Sequence, residues 1–112
     1  MREHVIEDYL IQRVDSAGGI AIKLTSSNNR GLPDRLCLLP GVIIFVELKA
    51  PGKKPFKLQR LWIDLLRALG FKAVVIDSRP KVDAMMLWYE RFCDKSIADT
   101  TKAAKLIKTI RG

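Results

Sequence analysis

The stretch Val42-Ile43-Ile44-Phe45-Val46-Glu47-Leu48-Lys49 decides how the chain is read. Val42 to Val46 is an apolar, strand-sized run that ends abruptly in a carboxylate and an ammonium. Strand alternation puts Glu47 and Lys49 on one face and Leu48 on the other. Charged groups at the end of a core strand are costly to desolvate without partners. Just upstream, Arg35 to Leu39 is a second apolar run, and Pro40-Gly41 separates the two. That arrangement predicts a β-hairpin, although Pro-Gly suits a type II turn better than the primed turns that hairpins favour. If Pro40 and Gly41 are the loop, Leu39 pairs with Val42, and Asp34 of Gly31-Leu32-Pro33-Asp34 falls directly opposite Glu47. Opposed residues have Cβ atoms roughly 4.5–5.5 Å apart. Two ionised carboxylates at about 5 Å repel by roughly 3 kcal/mol at an effective dielectric of about 20. The pair becomes favourable only when one acid is protonated or a cation sits between them. Lys49 is one such cation and a divalent metal is the other. Oxygen-only ligands select a hard ion, Mg²⁺ or Mn²⁺ rather than zinc.

Working outward, Val5, Ile6, Tyr9, Leu10 and Val14 recur at helical spacing until Gly18-Gly19 stops the run. Ile20 to Leu24 is a short strand candidate, and Thr25 to Gly31 is a polar loop. After the basic loop Pro51 to Pro55 comes the strongest helix. Leu58, Leu61, Trp62, Leu65, Leu66 and Leu69 share one of its faces, and Gly70 is the stop. Phe71 to Ile76 reads as a buried strand; strand, helix, strand implies a crossover and parallel pairing. Val82, Met85, Met86, Tyr89 and Phe92 mark a further helix, and a basic one runs from about Thr100 to the end. The order is α-β-β-β-α-β-α, one α/β domain with a mixed sheet flanked by helices. Residues 1–94 carry the domain and 95–112 a basic helix or tail of it.

In 112 residues, 20 Lys+Arg face 12 Asp+Glu, a formal net charge of +8. One core fits that length, and the charge points to a polyanionic partner, nucleic acid before an anionic membrane. No apolar run approaches the ~20 residues of a membrane span, and the charged N-terminus has no signal-peptide core, so the expected location is the cytoplasm. Cys37 and Cys93 are isolated and read as packed thiols, and the lone His4 gives no support to a zinc site or a Ser-His-Asp triad. Glu7 in the first helix, with Glu3 one turn earlier, offers a further carboxylate.

Gly31-Leu32-Pro33-Asp34, Phe45-Val46-Glu47-Leu48-Lys49-Ala50-Pro51-Gly52, then Gln59 and Trp62, then Gly70-Phe71 together resemble the virus-type replication-repair nuclease domain (VRR-Nuc). Glu3 to Glu7, Gly18-Gly19 and Lys23 resemble that family's N-terminal part. The family is a branch of the PD-(D/E)xK nucleases, with the restriction-endonuclease-like fold, and the resemblance spans about Arg2 to Asp77. It implies that Asp34 and Glu47 hold Mg²⁺ or Mn²⁺ with the main-chain carbonyl of Leu48, and that Glu7 completes the metal shell. It further implies that Lys49 orients or activates water and that Gln59 buttresses the site. Stand-alone members look like homodimers acting on branched DNA such as four-way (Holliday) junctions, in DNA repair, and no organic cofactor is implied. The setting would be a bacterial or phage-infected cell.

Lys49 to Arg60 is rich in basic residues and holds no acid; Lys53, Lys54, Lys57 and Arg60 are expected to contact phosphates. Lys23, Arg30 and Arg35 flank the Asp34 side and are expected to do the same. Trp88, Tyr89 and Met85, or the tail, are the candidate dimer surfaces. Two other readings compete: a non-catalytic basic binding module, in which Glu47 and Lys49 are merely an ion pair, and a restriction-type nuclease cutting linear duplex.

Overall fold

In the computed structural model, residues 1–25 and 28–112 are described. The polar loop expected over 25–31 therefore lies partly outside the described residues. β2 (Arg35–Leu39) and β3 (Val42–Leu48) form the hairpin in the expected register, with Leu39 against Val42 and Arg35 against Val46. Its Pro40-Gly41 turn is pinned from outside. Gly41 has φ +84°, and a Cβ there would lie 2.3 Å from the carbonyl oxygen of Asp94. Only glycine meets both conditions.

β1 (Ile20–Lys23) pairs antiparallel with β2, and β4 (Lys72–Ile76) pairs parallel with β3, giving the order β1-β2-β3-β4. The β3–β4 crossover runs through α2 (Lys57–Ala68), as parallel pairing requires. Helices α1 (Glu3–Ser16) and α3 (Arg79–Phe92) cover the other face. There Ile6, Leu10 and Val14 of α1 and Val82, Met85, Met86 and Tyr89 of α3 close over Cys37, Leu39, Ile44, Val46, Leu48 and Ile76. Each such side chain contributes roughly 1.5–3 kcal/mol by leaving water. Burial also pushes the Cys37 thiol up to about 12, which makes it an inert packing group.

Two expectations change. Met85 and Tyr89 are interior, and the Tyr89 hydroxyl donates to the Pro40 carbonyl at 2.8 Å, so they cannot form a dimer surface. Trp88 is half-buried with the Lys72 ammonium 4.1 Å from its ring centre. The apolar face of α2 is also largely bare. Of its leucines only Leu66 is buried, while Leu58, Leu61, Leu65 and Leu69 stay exposed. α2 meets the sheet through Gln59, Ile63 and Leu66, against Phe45, Ala73 and Val75.

The basic tail forms α4 (Thr100–Arg111), capped by the Asp99 carboxylate on the Lys102 N–H. It has no buried residue, and an Arg111–Asp15 ion pair ties its end to α1. No described helix is long and apolar enough to cross a membrane.

Candidate active site

The open end of the hairpin brings the acids together. The Asp34 carbonyl accepts from the Leu24 N–H at 2.9 Å, which carries the β1–β2 pairing one residue past β2. Its carboxylate Oδ2 accepts from the Leu48 N–H at 2.7 Å, so the side chain reaches across to β3. The preceding loop is held by shape. Gly31 has φ +92°, and a Cβ there would sit 2.8 Å from Leu58 Cγ and 3.1 Å from the Leu58 carbonyl carbon. Gly31→Ala would therefore meet both left-handed strain and a backbone clash, and is expected to destabilise the fold by about 2 kcal/mol or more. Urea titration checks this; a change below about 0.5 kcal/mol would show that the loop rearranges freely.

Glu47 is 1% exposed, and neither of its oxygens has a hydrogen-bond partner among the described residues. Lys49 Nζ lies 3.2 Å from Oε2, an ion pair without hydrogen-bond alignment. Burial, reinforced by the Asp34 charge and only partly offset by Lys49, pushes the Glu47 carboxyl up to about 7. A carboxylate left this way, beside a second carboxylate, is short of one positive neighbour.

β3 is stitched to β4 at the same end, where the Lys49 N–H donates to the Ile76 carbonyl at 2.9 Å. The Leu48 N–H leaves the opposite edge of the strand, toward Asp34. In an extended strand the C=O of a residue leaves by the same edge as its N–H, so the Leu48 carbonyl faces the Asp34 side.

The first turn of α2 supports the lysine. Gln59 is 9% exposed, and its Oε1 accepts from the Phe56 N–H at 3.1 Å, fixing the residue that starts the helix. The Phe56 ring then lies 5.6 Å from Lys49 Nζ, a cation–π contact. Gln59 thus acts through Phe56 rather than touching the acids. Asp77, which no motif singled out, anchors the intervening loop. Its carboxylate accepts from the Gly52 N–H at 3.2 Å and pairs with Lys81 at 2.9 Å. Those two bonds, Lys81 first, hold its carboxyl below the usual range. The signal was present in the parallel crossover: parallel strands end on the same side, so the residue after β4 must emerge beside the end of β3.

Glu7 is not brought to this cluster. Its Oε2 accepts from Arg35 Nε at 2.9 Å, and Arg35 also donates to the Ala21 carbonyl at 3.2 Å. Arg35 faces Val46, which packs on the α1 side, whereas Glu47 alternates to the α2 side with Phe45. Among the described residues no third His, Cys, Asp or Glu joins Asp34 and Glu47 in a group able to hold a metal. Glu3 is exposed at the start of α1. Lys23, Arg30, Lys53, Lys54, Lys57 and Arg60 are all exposed, while Arg35 is the one basic residue of that set already engaged.

The donors fit a hard divalent ion. Mg²⁺ is commonly held by one or two carboxylates, with water and substrate phosphate completing the shell. Asp34, the orphaned oxygens of Glu47 and the Leu48 carbonyl supply oxygens only.

No protein-family model matches the chain. Over 80 residues it is 50% identical to "Putative nuclease p44" of Acyrthosiphon pisum secondary endosymbiont phage 1, a match covering 70% of this chain and 86% of that protein. A solved structure described as "VRR_NUC domain" superposes with a TM-score of 0.73 at 34% identity, over 78% of this chain and 96% of that one.

Proposed function

The chain belongs to the virus-type replication-repair nuclease family and is a nuclease, and from that premise we propose that it is a divalent-metal-dependent DNA endonuclease selective for branched DNA. The observation that supports metal dependence is the Glu47 carboxylate, buried beside Asp34 with both oxygens unpartnered by hydrogen bonds. Asp34, Glu47 and the Leu48 carbonyl would hold Mg²⁺ or Mn²⁺. When bound, the ion supplies Lewis-acid polarisation of the phosphoryl oxygens and a more acidic water.

The chain's own residues do the rest. Lys49, steered by Glu47 at 3.2 Å and backed by the Phe56 ring, presents positive charge where the pentacovalent oxyanion develops. Gln59 keeps Phe56 in place, and Asp77 holds the loop that leads from Lys49 into α2. The exposed Lys53, Lys54, Lys57 and Arg60 line the path of the backbone past the acids, with Lys23 and Arg30 on the Asp34 side. Glu7 holds Arg35, and with it the start of β2 that carries Asp34. Its contribution therefore runs through strand position.

One site of this size cuts one strand. Resolving a four-way junction needs two symmetric cuts, hence a twofold homodimer. The test is Mn²⁺-dependent cleavage of four-way, flap, nicked and linear DNA by wild type, Asp34→Ala and Lys49→Ala. Four-way junctions are expected to be cut at least about tenfold faster than linear duplex, and each variant to lose on the order of 10²–10³-fold. Equal cleavage of linear duplex would replace the branched-DNA reading with a restriction-type one. Full activity in both variants would remove the site assignment.

A further inference from the structure

We propose that the Phe56 ring stacks on the unpaired base that a branch point presents beside the scissile phosphate, and so selects branched DNA over continuous duplex. This deepens the branched-DNA reading above and rests on it. Phe56 is the N-cap of α2, a position that favours Ser, Thr, Asp or Asn because their side chains accept from free N–H groups of the first turn. A phenyl ring cannot, and Phe56 makes no side-chain cap bond. Nor does the ring fill a core: it is 57% exposed and packs in neither apolar cluster of the described residues. Folding therefore gains little from an aromatic group at this position.

Its place beside the acids is nonetheless fixed from two sides. Gln59 Oε1 accepts from the Phe56 N–H at 3.1 Å, and the Asp77 carboxylate anchors the preceding loop at the Gly52 N–H. Lys49 Nζ stands 5.6 Å from the ring centre, while the same ammonium is 3.2 Å from Glu47 Oε2. A phosphate drawn to Lys49 thus has Phe56 within two nucleotide steps of about 3.4 Å along its strand. Lys49 engages part of the ring, and more than half of the residue stays open to water. Exposed Lys53, Lys54 and Lys57 flank it in the chain, so phosphates are attracted on both sides of an apolar surface.

An aromatic face among cations fits a nucleobase rather than a further phosphate. Such stacking tolerates any sequence, since every base offers a π-face. In a continuous duplex those faces are covered by neighbouring base pairs, and only groove edges and backbone meet the protein. At a flap or a strand exchange the stack is interrupted or easily opened, and a base there turns to the ring at less unstacking cost. One such stack is of a size to carry the roughly tenfold preference expected for branched DNA, which corresponds to about 1.4 kcal/mol. Lys53, Lys54 and Lys57 attract DNA of any shape and cannot supply that discrimination.

The test compares wild type, Phe56→Ser and Phe56→Trp in two assays. One is binding of flap, four-way and linear DNA by fluorescence anisotropy in EDTA, and the other is Mn²⁺-dependent cleavage of the same three. Phe56→Ser restores a capping side chain, so its melting temperature is expected not to fall. It should still lose about tenfold of the preference for branched over linear DNA, in binding as in kcat/KM, while Phe56→Trp keeps it. Any weakening of Lys49 through the lost cation–π contact slows all substrates alike and cancels in that ratio. An abasic nucleotide at the branch point of the flap should cost wild type the same factor and Phe56→Ser nothing further, because the two changes remove one contact. A Phe56→Ser protein with the wild-type ratio, or with the full abasic effect, would overturn the stacking and leave Phe56 as a support for Lys49. Equal binding of linear and branched DNA by wild type would overturn the stacking together with the branched-DNA reading. Binding in EDTA is read whether or not the chain cuts, so a failure of cleavage alone counts against the metal site and not against Phe56.

Discussion

Glu47→Gln is expected to lower metal-dependent cleavage on the order of 10²–10³-fold while raising the melting temperature of the metal-free protein at about pH 8 by roughly 10 °C. The two effects have one cause. Glu47 is 1% exposed and its carboxyl titrates at about 7, against an ordinary 4.5. At about pH 8 the folded protein must hold that group ionised, in a place that disfavours the charge. A shift of that size corresponds to about 3 kcal/mol at 1.36 kcal/mol per unit, and roughly 4 °C accompanies each kcal/mol in a domain of this size. Glutamine keeps the shape and removes the charge, and with it the anionic oxygens that a divalent ion requires. Differential scanning fluorimetry and cleavage of a four-way junction measure the two halves. A Glu47→Gln protein less stable than wild type at about pH 8 would mean that Lys49 already compensates the carboxylate fully.

Metal-free wild type is expected to lose stability as pH rises from about 4.5 through about 7. The folded state binds the Glu47 proton more tightly than the unfolded state, because the folded value is the raised one. The contribution is therefore fully present below about 4.5, where both states are protonated, and is lost as pH passes through about 7. The loss amounts to about 3 kcal/mol by about pH 8. Saturating Mn²⁺ should oppose it, since the ion needs ionised ligands and each tenfold excess over its Kd adds about 1.4 kcal/mol to the folded state. Guanidinium titrations at about pH 5 and about pH 8, each with and without Mn²⁺, give the four values. Equal metal-free stability at both pH values would show Glu47 to be an ordinary carboxylate. A metal-independent slope would detach the ion from the Asp34–Glu47 pair.

The acid pair was legible because hairpin register is local. Two loop residues at Pro40-Gly41 determine every pairing down to the strand ends, and alternation then determines the face of each side chain. The parallel β3–β4 pair was legible for a similar reason, because a strand, a helix and a strand leave few topologies. Glu7 was not legible. A helix is placed against a sheet by side-chain fit across the whole interface, and here that fit turns Glu7 toward Arg35 instead of Glu47. Asp77 sits at the end of a strand paired over a long separation, and its bond to the Gly52 N–H depends on a loop that periodicity does not describe. The leucines of α2 misled most plainly. Periodicity identifies an apolar face but not what covers it, and the sheet takes up Ile63 and Leu66 while leaving the stripe bare.

The turn at Pro40-Gly41 lies at the opposite end of β3 from the acids, yet it is the ruler by which they are aligned. Its fit against Asp94 and the Tyr89 hydroxyl lets the hairpin close in one way only. One residue added there would slide β2 along β3 by a step, carry Asp34 past Glu47 and offer Arg35 in its place. Alignment of the two acids is thus exposed to insertions and deletions at the far end of the hairpin. The basic loop beside the acids, which sets no strand register, can lengthen or change composition without moving them.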